Sequence, residues 1–355
     1  MPVPLEVVLF AAGVATAVTA ILSALSSTIL PRSAQSRIVA TSVRTTRWAF
    51  RLRARRLDSY EARDRAMAML GPTALIATLA AWLNLIMWGF TLMFFALTGR
   101  SFEDAVELSG SSVFTLGTTS GSGIWTKLLT YTEAAVGLLI VTLLITYLPS
   151  IYAAFTRRES GVSLLRVRLG SPARAATMLI RYHQIEEPHF RLNQVWQDWE
   201  RWFGDVDESH STFPILVYFR SPQPDRSWIT TAGALLDAAA FWLTAVGDHP
   251  LDADAQLCIR AGYIALRHIA ENTRIGFDAD PRPDDPISIT REEWEKEFQR
   301  MADAGMPMNA DREAAWTAWK GWRVNYDRAL LELARLVEAP LAPWISDRSP
   351  VVYGK

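Results

Sequence analysis

The chain has a single cysteine, Cys258, so no intramolecular disulfide is open to it, and the apolar helical pattern around that residue predicts a buried core thiol. No phosphate loop, dinucleotide fingerprint or nucleophile elbow occurs. With no apposed catalytic set left, no enzyme is expected. Charge of neither sign prevails: 36 Lys and Arg stand against 37 Asp and Glu, a net charge of -1, and nothing predicts a nucleic-acid partner. Metal-ligand spacing is missing as well. His183, His189 and His210 lie near Glu186, Glu187 and Glu208 without a His pair and a third ligand. Asp278, Asp280, Asp284 and Asp285 lack the Gly and Glu of a calcium loop. Neither a bound metal nor a cofactor is expected. No Lys or Arg precedes Arg32, so the N-terminal apolar stretch lacks the basic flank of a cleaved leader and reads as a retained anchor.

What the chain does have is apolar length. Half its residues are hydrophobic, and they concentrate in long runs up to about Phe155, whereas from Arg157 onward the sequence is mixed and charged like a soluble domain. A transmembrane helix needs about 20 mostly apolar residues, and three segments qualify: residues 5–30, 73–97 and 134–155. Arg and Lys set the expected direction. Between the first and second spans come Arg32, Arg37, Arg44, Arg47, Arg51, Arg53, Arg55, Arg56, Arg63 and Arg65, which marks that loop as cytoplasmic. Residues 99–131 offer only Arg100 and Lys127 against Glu103, Asp104 and Glu107, an outside pattern, and Arg157, Arg158, Arg166 and Arg168 follow the third span at once. The expectation is a multi-pass protein of the cell membrane with its N-terminus outside and its C-terminal domain in the cytoplasm.

Ala12, Thr16, Ala20, Ala24 and Thr28 recur every four residues in the first span, a small-residue face on which another helix can pack closely. The Arg-rich loop has two readings: basic residues near any membrane surface meet anionic headgroups, and a lipid-sensing linker would use the same residues.

Between the second and third spans, Ser101 is placed to cap a helix, with Asp104 at the third position of a capping box. A helix of about three turns then runs to Phe114, its partially negative end favouring a cation. Thr115-Leu116-Gly117-Thr118-Thr119 follows as an extended strip whose Gly supplies positive φ at its centre. Irregular backbone at membrane depth is tolerated only where it is buried or lines a water-filled cavity; the segment reads either so, as the uncharged Ser-, Thr- and Gly-rich stretch from Ser111 to Gly123 favours, or as an extracellular loop with an amphipathic surface helix.

The order of apolar span, short helix, Thr-x-Gly turn and apolar span resembles the pore domain of the potassium-channel superfamily. Thr115 matches the Thr of the Thr-Val-Gly-Tyr-Gly signature, Leu116 stands for the Val, and Gly117 matches the first Gly. Thr118 replaces the aromatic residue and Thr119 the second Gly, and a β-branched residue resists the conformation that Gly adopts. The resemblance implies an ion filter at Thr115, Leu116, Gly117, Thr118 and Thr119, passive conduction of a monovalent cation (K+ in the family), and a homotetramer, because four strips surround one ion. It also makes the third span an inner helix. There Thr142, Thr146 and Ser150 form one polar stripe, read as cavity and gate wall or as hydroxyls bonded back to the preceding turn. Gly137 is a candidate hinge, and Pro149 a candidate gating bend or a purely structural kink. Glu103, Asp104 and Glu107 read either as outer charge that concentrates cations or as helix-start acids.

The C-terminal half carries helical stripes: Trp196, Trp199 and Trp202; Leu235, Leu236, Ala239, Trp242 and Leu243; Trp316, Trp319 and Trp322; Leu330, Leu331, Ala334 and Val337. Such stripes read as core. Thr290 and Glu293 mark a helix start, and Ser221-Pro222-Gln223-Pro224-Asp225 and residues 278–286 read as loops. The expected architecture is therefore an all-α membrane protein. It comprises an N-terminal transmembrane helix (1–31), a basic cytoplasmic linker (32–69), a pore domain (70–156; outer helix 73–97, pore helix and filter 101–119, inner helix 132–156) and an α-helical cytosolic domain (157–355). That last domain is open to assembly, ligand sensing or docking of a partner. The alternative is a non-conducting, membrane-anchored sensor or scaffold that keeps the pore fold.

Overall fold

The computed structural model describes residues 3–29, 36–99, 101–119, 121–185, 188–221, 223, 226–247 and 252–348. Arg32, Arg100, Glu186, Glu187, Pro222, Pro224, Asp225 and the side chain of His189, all named above, lie outside them. Among the described residues every regular element is helical, apart from one isolated bridge between Val246 and Met308. The expected all-α class holds. Three helical stretches, Val3–Thr28, Glu61–Thr98 and Ile124–Leu169, are long and apolar enough to cross a membrane. The chain divides into two compact units, Met1–Ala153 and Ala154–Lys355.

The N-terminal unit holds α1 (Val3–Thr28), α2 (Arg37–Ala54), α3 (Tyr60–Ala68), α4 (Leu70–Thr98), α5 (Phe102–Val113) and the first part of α6 (Ile124–Leu169). The basic stretch between the first two spans is thus two helices and not a plain linker. Ser36 and Ser59 cap them by accepting the amides of Ile38 and Ala62. α1 and α2 both pack on α4. The face α1 uses is Gly13, Ala17, Ala20, Ser23 and Ala24: Ala20 and Ala24 of the expected small-residue stripe lie in it and Thr16 and Thr28 are half-buried, while Ala12 is exposed, so the stripe holds toward its C-terminal end and shifts by one position at its N-terminal end. Gly13 is the reason. A Cβ there would strike the Gly89 carbonyl, and one at Gly89 would come 2.8 Å from the Gly13 carbonyl, so the two helices touch backbone to backbone. The Trp82 indole donates to Ser23 Oγ at 2.9 Å further along the same seam.

α6 runs unbroken for 46 residues, about 69 Å at the α-helical rise. The expected inner helix, 132–156, is therefore too short at both ends, and residue 157 lies inside the helix and not at its end. The polar run Thr156-Arg157-Arg158-Glu159-Ser160-Gly161 does not break the helix, and the single Pro149 is absorbed without ending it.

The C-terminal unit also contains α7 (Ala175–His183), α8 (Pro188–Thr212), a 3-10 turn (Pro214–Tyr218), α9 (Trp228–Thr244), α10 (Ala253–Asn272), α11 (Arg291–Asp303), α12 (Arg312–Arg323) and α13 (Asp327–Leu336). α9 is its centre: residues 228–243 are all buried, and α7, α10, α12 and α13 pack around them. The aromatic stripes are core. Trp196, Trp199 and Trp202 are buried, and Phe241 lies 5.8, 5.4 and 6.0 Å from Trp294, Trp319 and Trp344. Cys258 is fully buried, and burial pushes its thiol well above its ordinary range, as the sequence pattern predicts for an inert core residue. Thr290 and Glu293 form the expected capping box, and residues 278–286 are irregular.

Candidate functional site

α5 begins as the sequence predicts. Ser101 Oγ accepts the Asp104 amide at 3.1 Å, and Asp104 Oδ2 accepts the Ser101 amide at 3.3 Å, so both exposed donors are satisfied reciprocally. Phe102 fixes this end on α4 through Trp88 (6.4 Å, stacked) and Phe95 (5.5 Å, edge-on). The helix buries Ala105, Leu108, Ser109, Ser111, Ser112 and Val113, and its last turn meets α6 where Gly137 has no side chain. A Cβ at Gly137 would run into the Val113 carbonyl. Gly137, expected as a hinge, is a position of close packing, and α6 stays helical through it.

After Val113 the chain turns back on α5. The Thr115 amide donates to Ser112 O at 3.0 Å and the Leu116 amide to Ser111 O at 2.8 Å. The Thr118 and Thr119 amides both donate to Ser111 Oγ, at 3.0 and 3.2 Å. Thr115 (φ 53°) and Gly117 (φ 69°) are left-handed, while Leu116, Thr118 and Thr119 are not. Amides of a chain that alternates in this way converge on one side, and here they converge on Ser111. The carbonyls are left over: among the described residues, none from 115 to 119 accepts a hydrogen bond. Residues 115–118 are exposed on the single chain, Leu116 by 64%. Thr119 is half-buried and its hydroxyl donates to Glu107 Oε1 at 2.6 Å, so Glu107 ties down the end of the strip.

Two features departed from the sequence-based expectation. The strip is a tight turn and not an extended segment, and the left-handed conformation falls on a β-branched residue, Thr115, as well as on Gly117. Ser111, which organises the strip, carries no pattern signal beyond lying in a Ser-rich, uncharged stretch. Of the stripe on α6, Thr142, Thr146 and Ser150 are all exposed on the chain, and so is Pro149. Thr146 Oγ1 lies 2.9 Å from the Leu143 carbonyl, the same back-bonding made by Thr16, Thr28, Thr78 and Thr98 in the other spans.

The buried charges of the C-terminal unit make self-contained networks. Arg323 donates to both oxygens of Asp237 at 2.8 Å, to Asp327 at 2.7 Å and to the Trp344 carbonyl at 2.7 Å, while Tyr326 donates to Asp237 at 2.8 Å. Burial opposes its charge, but the two carboxylates outweigh this and hold the guanidinium above its ordinary range. Arg158, 2% exposed, donates to Glu159, to the carbonyls of Leu216 and Phe219, and lies 3.3 Å from His210 Nε2. His210 Nδ1 lies 2.8 Å from the Val206 carbonyl, which requires a proton on Nδ1 and leaves Nε2 to accept from Arg158. Burial first, and the neighbouring Arg158 charge second, push this imidazole down to about 3. These are fully paired structural groups. No cluster of His, Cys, Asp and Glu able to hold a metal occurs among the described residues.

No protein-family model and no solved structure matches the chain. An uncharacterized membrane protein of Bacillus subtilis (strain 168), YdjJ, is 29% identical over 49% of this chain and 53% of its own length, so the chain spans about half the length of the curated relative it matches. With its three long apolar helices, the chain is an all-α membrane protein with transmembrane helices.

Proposed function

We propose that the chain is one subunit of a homotetrameric, potassium-channel-like cation channel that conducts passively through main-chain carbonyls of residues 115–119. One observation carries the reading. The strip's amides at 115, 116, 118 and 119 are spent on Ser111 and Ser112 of α5, while its carbonyls accept no hydrogen bond from the described residues and residues 115–118 are exposed. In this reading the strip lies at membrane depth, where carbonyls without a protein partner need something to bind, and a dehydrated cation supplies it. The C-terminal end of α5 adds partial negative charge at the same place. In this reading the N-terminus is outside, the C-terminal unit is cytoplasmic, α6 is the inner helix, and Thr142, Thr146 and Ser150 face the aqueous path.

A second reading is a non-conducting sensor or scaffold with the same fold. It is favoured by the end of the strip, where left-handed alternation stops after Gly117 and Thr119 is tied to Glu107. Flux of potassium, sodium and an impermeant control into liposomes holding the purified protein separates the two. Conduction by the parent that is lost in Gly117→Ala supports the channel, because Ala resists the left-handed φ that Gly117 adopts. No flux, or equal flux in parent and variant, leaves the scaffold.

A further inference from the structure

Glu133 is fully buried in the middle of the α6 seam that faces α5, between Thr126 and Gly137. Its Oε1 lies 2.6 Å from Ser109 Oγ on α5, and the same Ser109 oxygen lies 2.8 Å from the Met87 carbonyl on α4. A serine hydroxyl has one proton. It can serve only one of these two oxygens, and the Met87 carbonyl has no proton to give in return. Both short contacts are hydrogen bonds only if Ser109 donates to Met87 and Glu133 donates to Ser109.

The surroundings agree with that count. Glu133 Oε2 has no partner. An orphaned oxygen of a neutral acid is far cheaper to bury than one of a carboxylate. α4 carries no charged residue at all, and α5 carries only Glu103, Asp104 and Glu107, the last bonded to Thr119. On α6 the nearest basic residue in the chain is Lys127, which is exposed. No basic side chain among the described residues forms an ion pair with Glu133.

We propose that Glu133 is held as the carboxylic acid and that the chain of bonds from Glu133 through Ser109 to Met87 is a staple joining α6, α5 and α4, which makes Glu133 a positioning residue for the strip. The consequence for conduction rests on the channel reading above; the acid and its bond do not. Ser109 lies two residues before Ser111, the group that gathers the Thr118 and Thr119 amides, so loosening the one shifts the other.

Two measurements on the full-length protein test this. In the infrared difference spectrum of parent minus Glu133→Gln at neutral pH, the carbonyl stretch of one protonated carboxylic acid is expected; carboxylate bands alone overturn the proposal. In liposome flux, Glu133→Gln, whose amide N–H donates as the acid does, is expected to stay near the parent, whereas Glu133→Leu falls about ten-fold. Equal loss in both variants, with Glu133→Gln still assembling and unfolding as the parent does, overturns the staple. A parent that shows the acid band and never conducts supports the acid and overturns the channel reading, so the two failures are told apart.

Discussion

Ser111 concentrates the strip's hydrogen bonding on one hydroxyl oxygen, which accepts two amides, and on its own carbonyl, which accepts a third. Ser111→Ala removes the hydroxyl and leaves the Thr118 and Thr119 amides without their acceptor, at about 1–3 kcal/mol each where they are shielded from water. Ion flux is expected to fall at least about ten-fold in that variant and to persist in Ser111→Thr, which restores the oxygen. His210 gives a residue-scale prediction about acidity. The folded chain refuses a proton at His210 until about pH 3, whereas the unfolded chain takes one up below its ordinary value of 6.5. Between those values the unfolded state binds more protons, so stability falls as pH drops, by at most about 1.4 kcal/mol per pH unit. Unfolding midpoints of the detergent-solubilised protein from pH 7.5 to 5 are expected to fall less steeply in His210→Gln. Arg158→Met strands the Glu159 carboxylate and two buried carbonyls and is expected to cost about 3–5 kcal/mol, read from denaturant unfolding. At this scale the sequence was legible where a rule is local. Ser101 with Asp104 and Thr290 with Glu293 announce their caps. Thr115 was not legible, because propensity argues against a left-handed β-branched residue and only the pull of Ser111 and Ser112 explains it. Glu133 was hidden for another reason: it sits one position before the apolar run at 134–155 and meets its partner 24 residues away in sequence.

The elements were legible in kind and less so in register. Three apolar runs became three long helices, and the aromatic stripes of α8 and α12 turned inward. The packing face of α1 was legible at Ala20 and Ala24 and misplaced by one residue at its N-terminal end, because four-residue spacing fits two adjacent rows and the choice there depends on Gly89 across the interface. Gly13→Leu tests this. It is expected to force α1 off α4 and lower the thermal unfolding midpoint, with a cost of about 1–3 kcal/mol or more because the obstruction is backbone, while Ala12→Leu on the exposed side leaves the midpoint unchanged. α2 and α3 were concealed by their charge: a run of Arg reads as a linker until the Ser caps at 36 and 59 are noticed. The length of α6 could not be read from hydropathy, which marks where a helix leaves the apolar phase and not where it ends.

For the molecule as a whole, a single chain leaves unspent the groups that the proposed assembly would use. The carbonyls of residues 115–119 are unpaired, and Trp125, Leu138 and Ile145 of α6 are exposed. Nothing in one sequence fixes what covers such groups, since the partner in the proposal is another copy of the same chain. An electron-microscopy map of the full-length protein in a lipid disc is the most direct test. The account predicts four chains related by one axis, with the carbonyls of residues 115–118 turned toward it and ion density between them. A map in which Gly117 lies away from any symmetry axis, on the outer surface of the particle, would contradict it.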